Sequence, residues 1–309
     1  MTIQTRPLGR TGAHVTILGY GAMELRGRPA GPAIEDEDAG RLLNAVLDGG
    51  INLIDTSIDY GRSEELIGRY IGHRREEYFL ASKCGCLLTP PPDARPPYPH
   101  DYSAQNVRAG VEQSLRRLGT DRLDLVQVHM SPSQAQLEKD HTIEAMQALQ
   151  AEGKVRFLGM SGILPNLPDH VAMGVFDVFQ IPYSAVQREH EDLITAAVAA
   201  GAGTLIRGGA ARGGPDKDWR VGPLSQDPGV GQRRWEVSGV PDLLDGLPSQ
   251  EFMLRFTLTH PDLSSTIVGT SSLDHLQANL AVAARGPLPA GLYEQSKQLL
   301  SQAALGEPA

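Results

Sequence analysis

The chain has 309 residues, 28 Lys and Arg against 37 Asp and Glu for a formal net charge of −9, and a 40% hydrophobic composition. Such a balance supports a sizeable core, excludes general disorder, and argues against nucleic acid as the main partner. No apolar run approaches the roughly 18 residues of a membrane span, and the opening MTIQTRPLGRTG lacks a basic-then-apolar signal layout, so the expectation is a cytoplasmic protein without membrane contact.

In chain order, the first strand is predicted over ILGYG (17–21). Acids from Glu35 to Asp38 suit a helix N-terminus, and Leu42, Leu43, Val46 and Leu47 recur at helical spacing until Gly49-Gly50 stops the run. A short apolar strand, Ile51 to Ile54, follows. The same beat predicts helix 63–71, strand 78–82, helix 103–118, strand 123–128, helix 141–152, strand 155–160 and helix 166–173. It continues with strand 177–181, helix 189–200, strand 203–206, helix 248–259, strand 264–268, helix 272–284 and a last helix near 290–303.

Short apolar strands separated by helices read as parallel strands buried on both faces, and eight such units point to a (β/α)₈ barrel in one domain over 1–309. An open doubly wound sheet competes, since GYGAME (19–24) partly matches a dinucleotide turn, but the third glycine and an immediate helix are missing. Two segments break the beat after strands: the proline-rich 87–102, and 208–247, which carries Trp219 and Trp235. In a barrel, loops after strands lie on the catalytic face, so both are expected to act as lids.

Three successive strand ends carry titratable groups. Asp55 closes INLID, Lys83 follows FLAS, and His129 closes LDLVQV. Singly, each has an ordinary explanation: an Asp caps a turn, a Lys reaches solvent, a His is a hydrogen-bonded core residue. Together they converge on one barrel face, and Tyr60 on the loop after Asp55 can lean over the same mouth. A tyrosine ionises near 10, so general acid or base work near neutrality calls for a cation to favour the phenolate, and Lys83, held by Asp55, supplies one. A neutral His129 can orient a carbonyl oxygen beside it. This set protonates a developing alkoxide but holds no electron source, so a hydride cofactor is required.

The words around these residues resemble the aldo-keto reductases over essentially the whole chain. DTSIDYGRSEELIG (55–68) is similar to that family's signature, RPLGRTGAHVTILGYGAM (6–23) to its N-terminal hairpin and first strand, and ASKCG (81–85) and LDLVQVH (123–129) supply the Lys and His positions. The resemblance implies a barrel that binds NADP(H) in extended form, with Asp55, Tyr60, Lys83 and His129 as a catalytic tetrad. It also implies Ser161 and Gln180 at the nicotinamide carboxamide, and a pyrophosphate loop over IRGGAARGG (206–214), with Arg207, Gly208, Ala210, Arg212 and Gly213. An adenosine-phosphate segment over 268–280 follows, with Thr270, His275 and Asn279. Departures are Gly162 where an Asn is usual, Arg207 where an aromatic ring often stacks, and Gly269 and His275 where stronger cations often grip the 2′-phosphate. NADP(H) is therefore expected with a reduced margin, NAD(H) remaining open.

The leading expectation is reversible reduction of a small aldehyde or ketone. The alternative is a nucleotide-binding regulatory subunit or redox sensor; a barrel hydrolase is disfavoured, as no G-x-S-x-G or metal cluster presents itself. Met23, Tyr98, Trp219 and Trp235 could line an apolar pocket or simply pack. Cys84 and Cys86 make no C-x-x-C, so no zinc site is expected; they read as buried inert thiols or, less simply, as oxidant sensors.

Overall fold

A computed structural model describes residues 3–27, 33–89, 99–210 and 230–305. Eight parallel strands close into a barrel: β3 (Leu18–Gly21), β4 (Leu53–Asp55), β5 (Phe79–Cys84), β6 (Leu123–Val128), β7 (Val155–Ser161), β8 (Val178–Pro182), β9 (Gly203–Arg207) and β10 (Ser265–Val268). They pair in chain order, and β10 closes the circle onto β3 through Thr266 opposite Leu18. The doubly wound alternative is thereby set aside. Ahead of the barrel, β1 (Thr5–Pro7) and β2 (His14–Thr16) form an antiparallel hairpin.

The helices follow from local chemistry. In α1 (Asp36–Asp48) three acids occupy the first turn and Leu42, Leu43, Val46 and Leu47 face inward. Ser103 caps α3 (Ala104–Leu118) by accepting from the Asn106 amide, and Gly119 closes it at φ 63°. Helices α2 (Ser63–Ile71), α5 (Thr142–Ala151), α6 (Leu167–Ala172), α7 (Glu191–Ala199), α10 (Ser249–Thr259), α11 (Leu273–Arg285) and α12 (Ala290–Leu305) stand where the periodicity places them.

Three helices depart from that reading. α4 (Gln134–Lys139) buries only Leu137, so it has no apolar stripe to betray it, and its start is set by the Ser133 hydroxyl. α8 (Val230–Val237) and α9 (Val240–Leu243) lie inside the segment expected to be a loop. Trp235, on α8, is 5% exposed and its ring centre lies 5.5 Å from that of Phe252, so it belongs to the core and not to a ligand pocket. Tyr98 and Trp219 fall outside the described residues.

Side chains two apart on a strand share a face. Inside the barrel, Leu53, Phe79, Ala81, Leu125, Val178 and Leu205 form one apolar cluster, which Leu8 and Val15 of the hairpin region join from below. The hairpin seats tightly: a Cβ on Gly9 (φ 51°) would stand 2.1 Å from the Gly203 nitrogen, so only glycine fits there. Arg6 ties it down further by donating to the carbonyls of Leu258, His260 and Leu263. This plug closes one end of the barrel and leaves the other, where the strands finish, for chemistry. Among the described residues no helix is long and apolar enough to cross a membrane.

Candidate active site

One step beyond the apolar cluster the strands change character: Leu53 is followed by Asp55, Ala81 by Lys83, Leu125 by Gln127 and Val178 by Gln180. Asp55 sits at the hub. Its Oδ2 accepts from Lys83 Nζ at 2.7 Å, and its Oδ1 from Gln127 Nε2 at 2.8 Å and Gln180 Nε2 at 2.9 Å. Lys83, 1% exposed, also donates to the Thr56 carbonyl at 2.8 Å and places its ammonium 4.9 Å from the centre of the Tyr60 ring. Burial is the largest single influence and would lower the Lys83 pKa, but the charges of Asp55, Tyr60 and Asp59 and the hydrogen bond to Asp55 together outweigh it and hold the ammonium charged above its ordinary value.

Tyr60 is held by the remaining residues of the 55–68 stretch. The Thr56 and Ser63 hydroxyls lie 2.9 Å apart, Ser63 donates to the Ala22 carbonyl, and the Tyr60 amide donates to Ser57. Glu64, at 1% exposure, accepts from Ser82 and faces Arg117 3.5 Å away. These letters of the signature fix the loop. The sequence led us to expect Lys83 to bring Tyr60 below its ordinary pKa. Instead burial pushes the phenol up, Lys83 pulls it down, Asp55 and Asp59 push it up again, and it rests at about 12. The lysine acts with the expected sign, and desolvation is the larger effect.

His129 stands edge-on to Tyr60, ring centres 6.5 Å apart at 81°. Burial lowers its pKa to about 3, with Lys83, His100 and Arg207 adding to the effect against Asp59, so the imidazole is neutral. Just beyond it, Met130 and Ser131 both adopt positive φ, 66° and 53°, which swings the chain out of β6. Tyr102 donates to the His129 carbonyl at 2.8 Å and fixes the turn.

Around the rim, the adjacent strand ends β7, β8, β9 and β10 present Ser161, Gln180, Arg207 and Gly269 in spatial order. Ser161 donates to Gln180 Oε1 at 3.3 Å, joining it through Gln180 to Asp55. Gly208 has φ 77° and Ala210 is buried; Arg212 and Gly213 lie outside the described residues. Thr270 is buried and accepts from the Ser272 amide, and Ser272 caps α11. His275 is exposed in the first turn of α11, whereas Asn279 is buried four residues on. A Cβ at Gly269 would meet the Gly21 carbonyl oxygen at 2.8 Å and the Glu24 side chain at 3.4 Å, a physical reason for glycine where a long cation would otherwise stand.

Sequence reasoning missed Gln127, Asp59 and His100. Gln127 was within reach, since it shares the inward face of β6 with Leu125 and breaks an apolar run; its buried Oε1 has no hydrogen-bond partner. Asp59 and His100 sit in irregular segments that carry no periodic signal.

Comparison with known proteins agrees with this architecture. A family model described as the aldo/keto reductase family matches residues 17–300. L-galactose dehydrogenase of Arabidopsis thaliana is 30% identical over 297 residues, 90% of this chain and 88% of that protein. D-threo-aldose 1-dehydrogenase of a Pseudomonas species is 26% identical over 320 residues, 92% of this chain and 94% of that protein. The solved holo-form aldo-keto reductase of Bacillus halodurans superposes with a TM-score of 0.82 at 28% identity, over 96% of each chain.

Proposed function

The chain belongs to the aldo/keto reductase family and is an oxidoreductase of carbonyl chemistry, and from that premise we propose that it interconverts an aldehyde or ketone and its alcohol at the rim formed by Asp55, Tyr60, Lys83 and His129. The observation that supports this reading most is the buried Asp55–Lys83 pair reaching the Tyr60 ring beside a neutral histidine. When bound, a reduced nicotinamide supplies the hydride to the carbonyl carbon.

The proton comes from this chain. A phenol at about 12 stays protonated at neutral pH, yet it is acidic enough to protonate an alkoxide as negative charge grows on the substrate oxygen. Lys83 favours the phenolate left behind, and Asp55 keeps the ammonium in place. Neutral His129 offers a ring N–H to the same oxygen and aligns it towards Tyr60. In the oxidising direction the phenolate takes the proton back.

Fit to a dinucleotide is supported by the row of strand ends. The inward positions at the ends of β3 and β10 are Gly21 and Gly269, which leave backbone without side chains, and the capped N-terminus of α11 offers amide donors suited to a phosphate. Ser161 and Gln180 would hold the carboxamide end; Arg207, Gly208 and Ala210 the pyrophosphate, together with Arg212 and Gly213; and Thr270, His275 and Asn279 the adenosine end. With Glu24 beside Gly269 and His275 the only basic side chain in the first turn of α11, NADP(H) is preferred over NAD(H) by a narrow margin.

The test is a carbonyl panel scored by NADPH and NADH consumption, with aldoses added and scored by NADP+ and NAD+ reduction because two relatives carry aldose-dehydrogenase names. Tyr60→Phe is expected to lose about 10²–10⁴-fold in turnover while still binding nucleotide, since it removes the proton donor and little volume. Near wild-type reduction by that variant overturns the assignment. Nucleotide binding without turnover on any carbonyl would favour the regulatory reading.

A further inference from the structure

The rim holds a second constellation that the redox reading leaves largely unused. Asp59, Cys86, His100 and His129 each bring one donor atom into a single cluster, the four atoms lying within 4.8 Å of one another. They arrive from the loop after β4, the stretch just past β5, the segment before α3 and the end of β6. Cys86 and His100 face each other across an isolated antiparallel bridge, which fixes their mutual approach.

Nδ1 of His129 is the crowded atom. Cys86 Sγ approaches it at 3.2 Å, His100 Nε2 at 3.4 Å and Asp59 Oδ2 at 3.8 Å. A ring nitrogen is one donor or one acceptor at a time, so these approaches cannot all be hydrogen bonds. A cation at their centre would satisfy all four groups together. In a tetrahedral zinc site, bonds of about 2.0–2.3 Å set neighbouring donor atoms about 3.3–3.6 Å apart, close to the 3.2 and 3.4 Å from Nδ1 to Cys86 and His100, while Asp59 at 3.8 Å closes in by a few tenths of an ångström on binding.

We propose that Asp59 Oδ2, Cys86 Sγ, His100 Nε2 and His129 Nδ1 form a tetrahedral site for a divalent cation of the zinc class. Thiolate and imidazole donors select such an ion over calcium or magnesium. One thiolate and one carboxylate neutralise its charge, which suits a partly buried position. The outer contacts are those of a held site. Ser57 donates to the other Asp59 oxygen, and the Tyr102 ring stacks on His100 at 5.9 Å. Asn106 Nδ2 bridges the Cys86 and Asp101 carbonyls at 3.1 and 2.7 Å. Coordination at Nδ1 leaves the His129 proton on Nε2. Because the donors are scattered from residue 59 to 129, no metal spacing is visible in the sequence.

The probe is cobalt(II), titrated into the untagged full chain without nucleotide and followed by absorption. One equivalent is expected to give tetrahedral visible bands and a near-ultraviolet thiolate-to-cobalt band, both abolished by added zinc. Cys86→Ser should lose the thiolate band and bind about tenfold or more weakly; His100→Gln should keep the band with a comparable loss of affinity. Absence of the thiolate band in the wild type, its survival in Cys86→Ser, or unchanged affinity in His100→Gln each overturns the site. None of these readings depends on turnover, so failure here and failure of the reductase assignment are told apart.

Discussion

Leu53, Ala81, Leu125, Val178 and Leu205 fill the lower inside of the barrel, while Asp55, Lys83, Gln127, Gln180 and Arg207 stand two residues further along the same strands. The backbone conformation is the same in both layers, and the side chains point to the same side. What differs is company: the lower layer packs its apolar side chains together with Leu8 and Val15 of the hairpin region, whereas the upper layer gathers Lys83, Gln127 and Gln180 around Asp55 and leaves only the Gln127 Oε1 among them without a partner. A shift of about 7 Å along a strand thus separates the part that holds the barrel together from the part that can react.

The largest expected breach of that division comes from the upper layer. Lys83→Met removes the only ammonium bonded to Asp55 among the described residues, and breaking a buried pair costs about 3–5 kcal/mol, lessened here by the two glutamine amides that remain on the carboxylate. Lys83 lowers the Tyr60 pKa against burial, so its loss drives that pKa further up and leaves less phenolate at any given pH. The rising limb of alcohol oxidation, measured with oxidised nucleotide and a chelator, should therefore move to higher pH by one unit or more, about tenfold in rate per unit below the limb. A profile that overlays the wild type after scaling would make Lys83 a positioning residue only.

Leu125→Ala probes the lower layer. It should cost about 2–5 kcal/mol in urea or thermal unfolding, with turnover per folded molecule kept. If activity falls instead while stability holds, the two layers are not separable. Gln127→Leu, two residues on, sharpens the contrast: it deletes a bond to Asp55 worth about 1.5–3 kcal/mol and an unpartnered buried acceptor costing about 1–3 kcal/mol, which nearly cancel. Stability should stay within about 1 kcal/mol of wild type, and kcat/KM should drop as Asp55 loses a restraint. The smallest effect is expected furthest from the chemistry, where His275→Gln should weaken NADPH binding about two- to fivefold and leave NADH unchanged. Equal losses for both nucleotides would place His275 away from the 2′-phosphate.

The same division governs how much the sequence disclosed. Strands such as 123–128 are legible because burial on both faces demands apolar residues, and Asp55, Lys83 and His129 are legible because each interrupts such a run. α4 hides because a helix with one buried residue has no stripe, and α8 and α9 hide among glycines and prolines. The Tyr60 shift could not be signed correctly from residue types, since desolvation depends on what closes over the ring. His100 meets His129 only because a non-periodic stretch folds back beside β5, a contact with no local signature.

The hairpin has a consequence for how the chain comes into being. The carbonyls that hold Arg6 lie 252 to 257 residues later, and the β3 edge finds its last neighbour only in β10. During synthesis Thr16 can fasten to Asn52 early, but Arg6 must wait until the residues 252 to 257 positions later have emerged. Closure is then a single long-range event, of the kind that slows folding and leaves strand edges open meanwhile. The residues that seal the finished barrel are the ones that keep its assembly open longest.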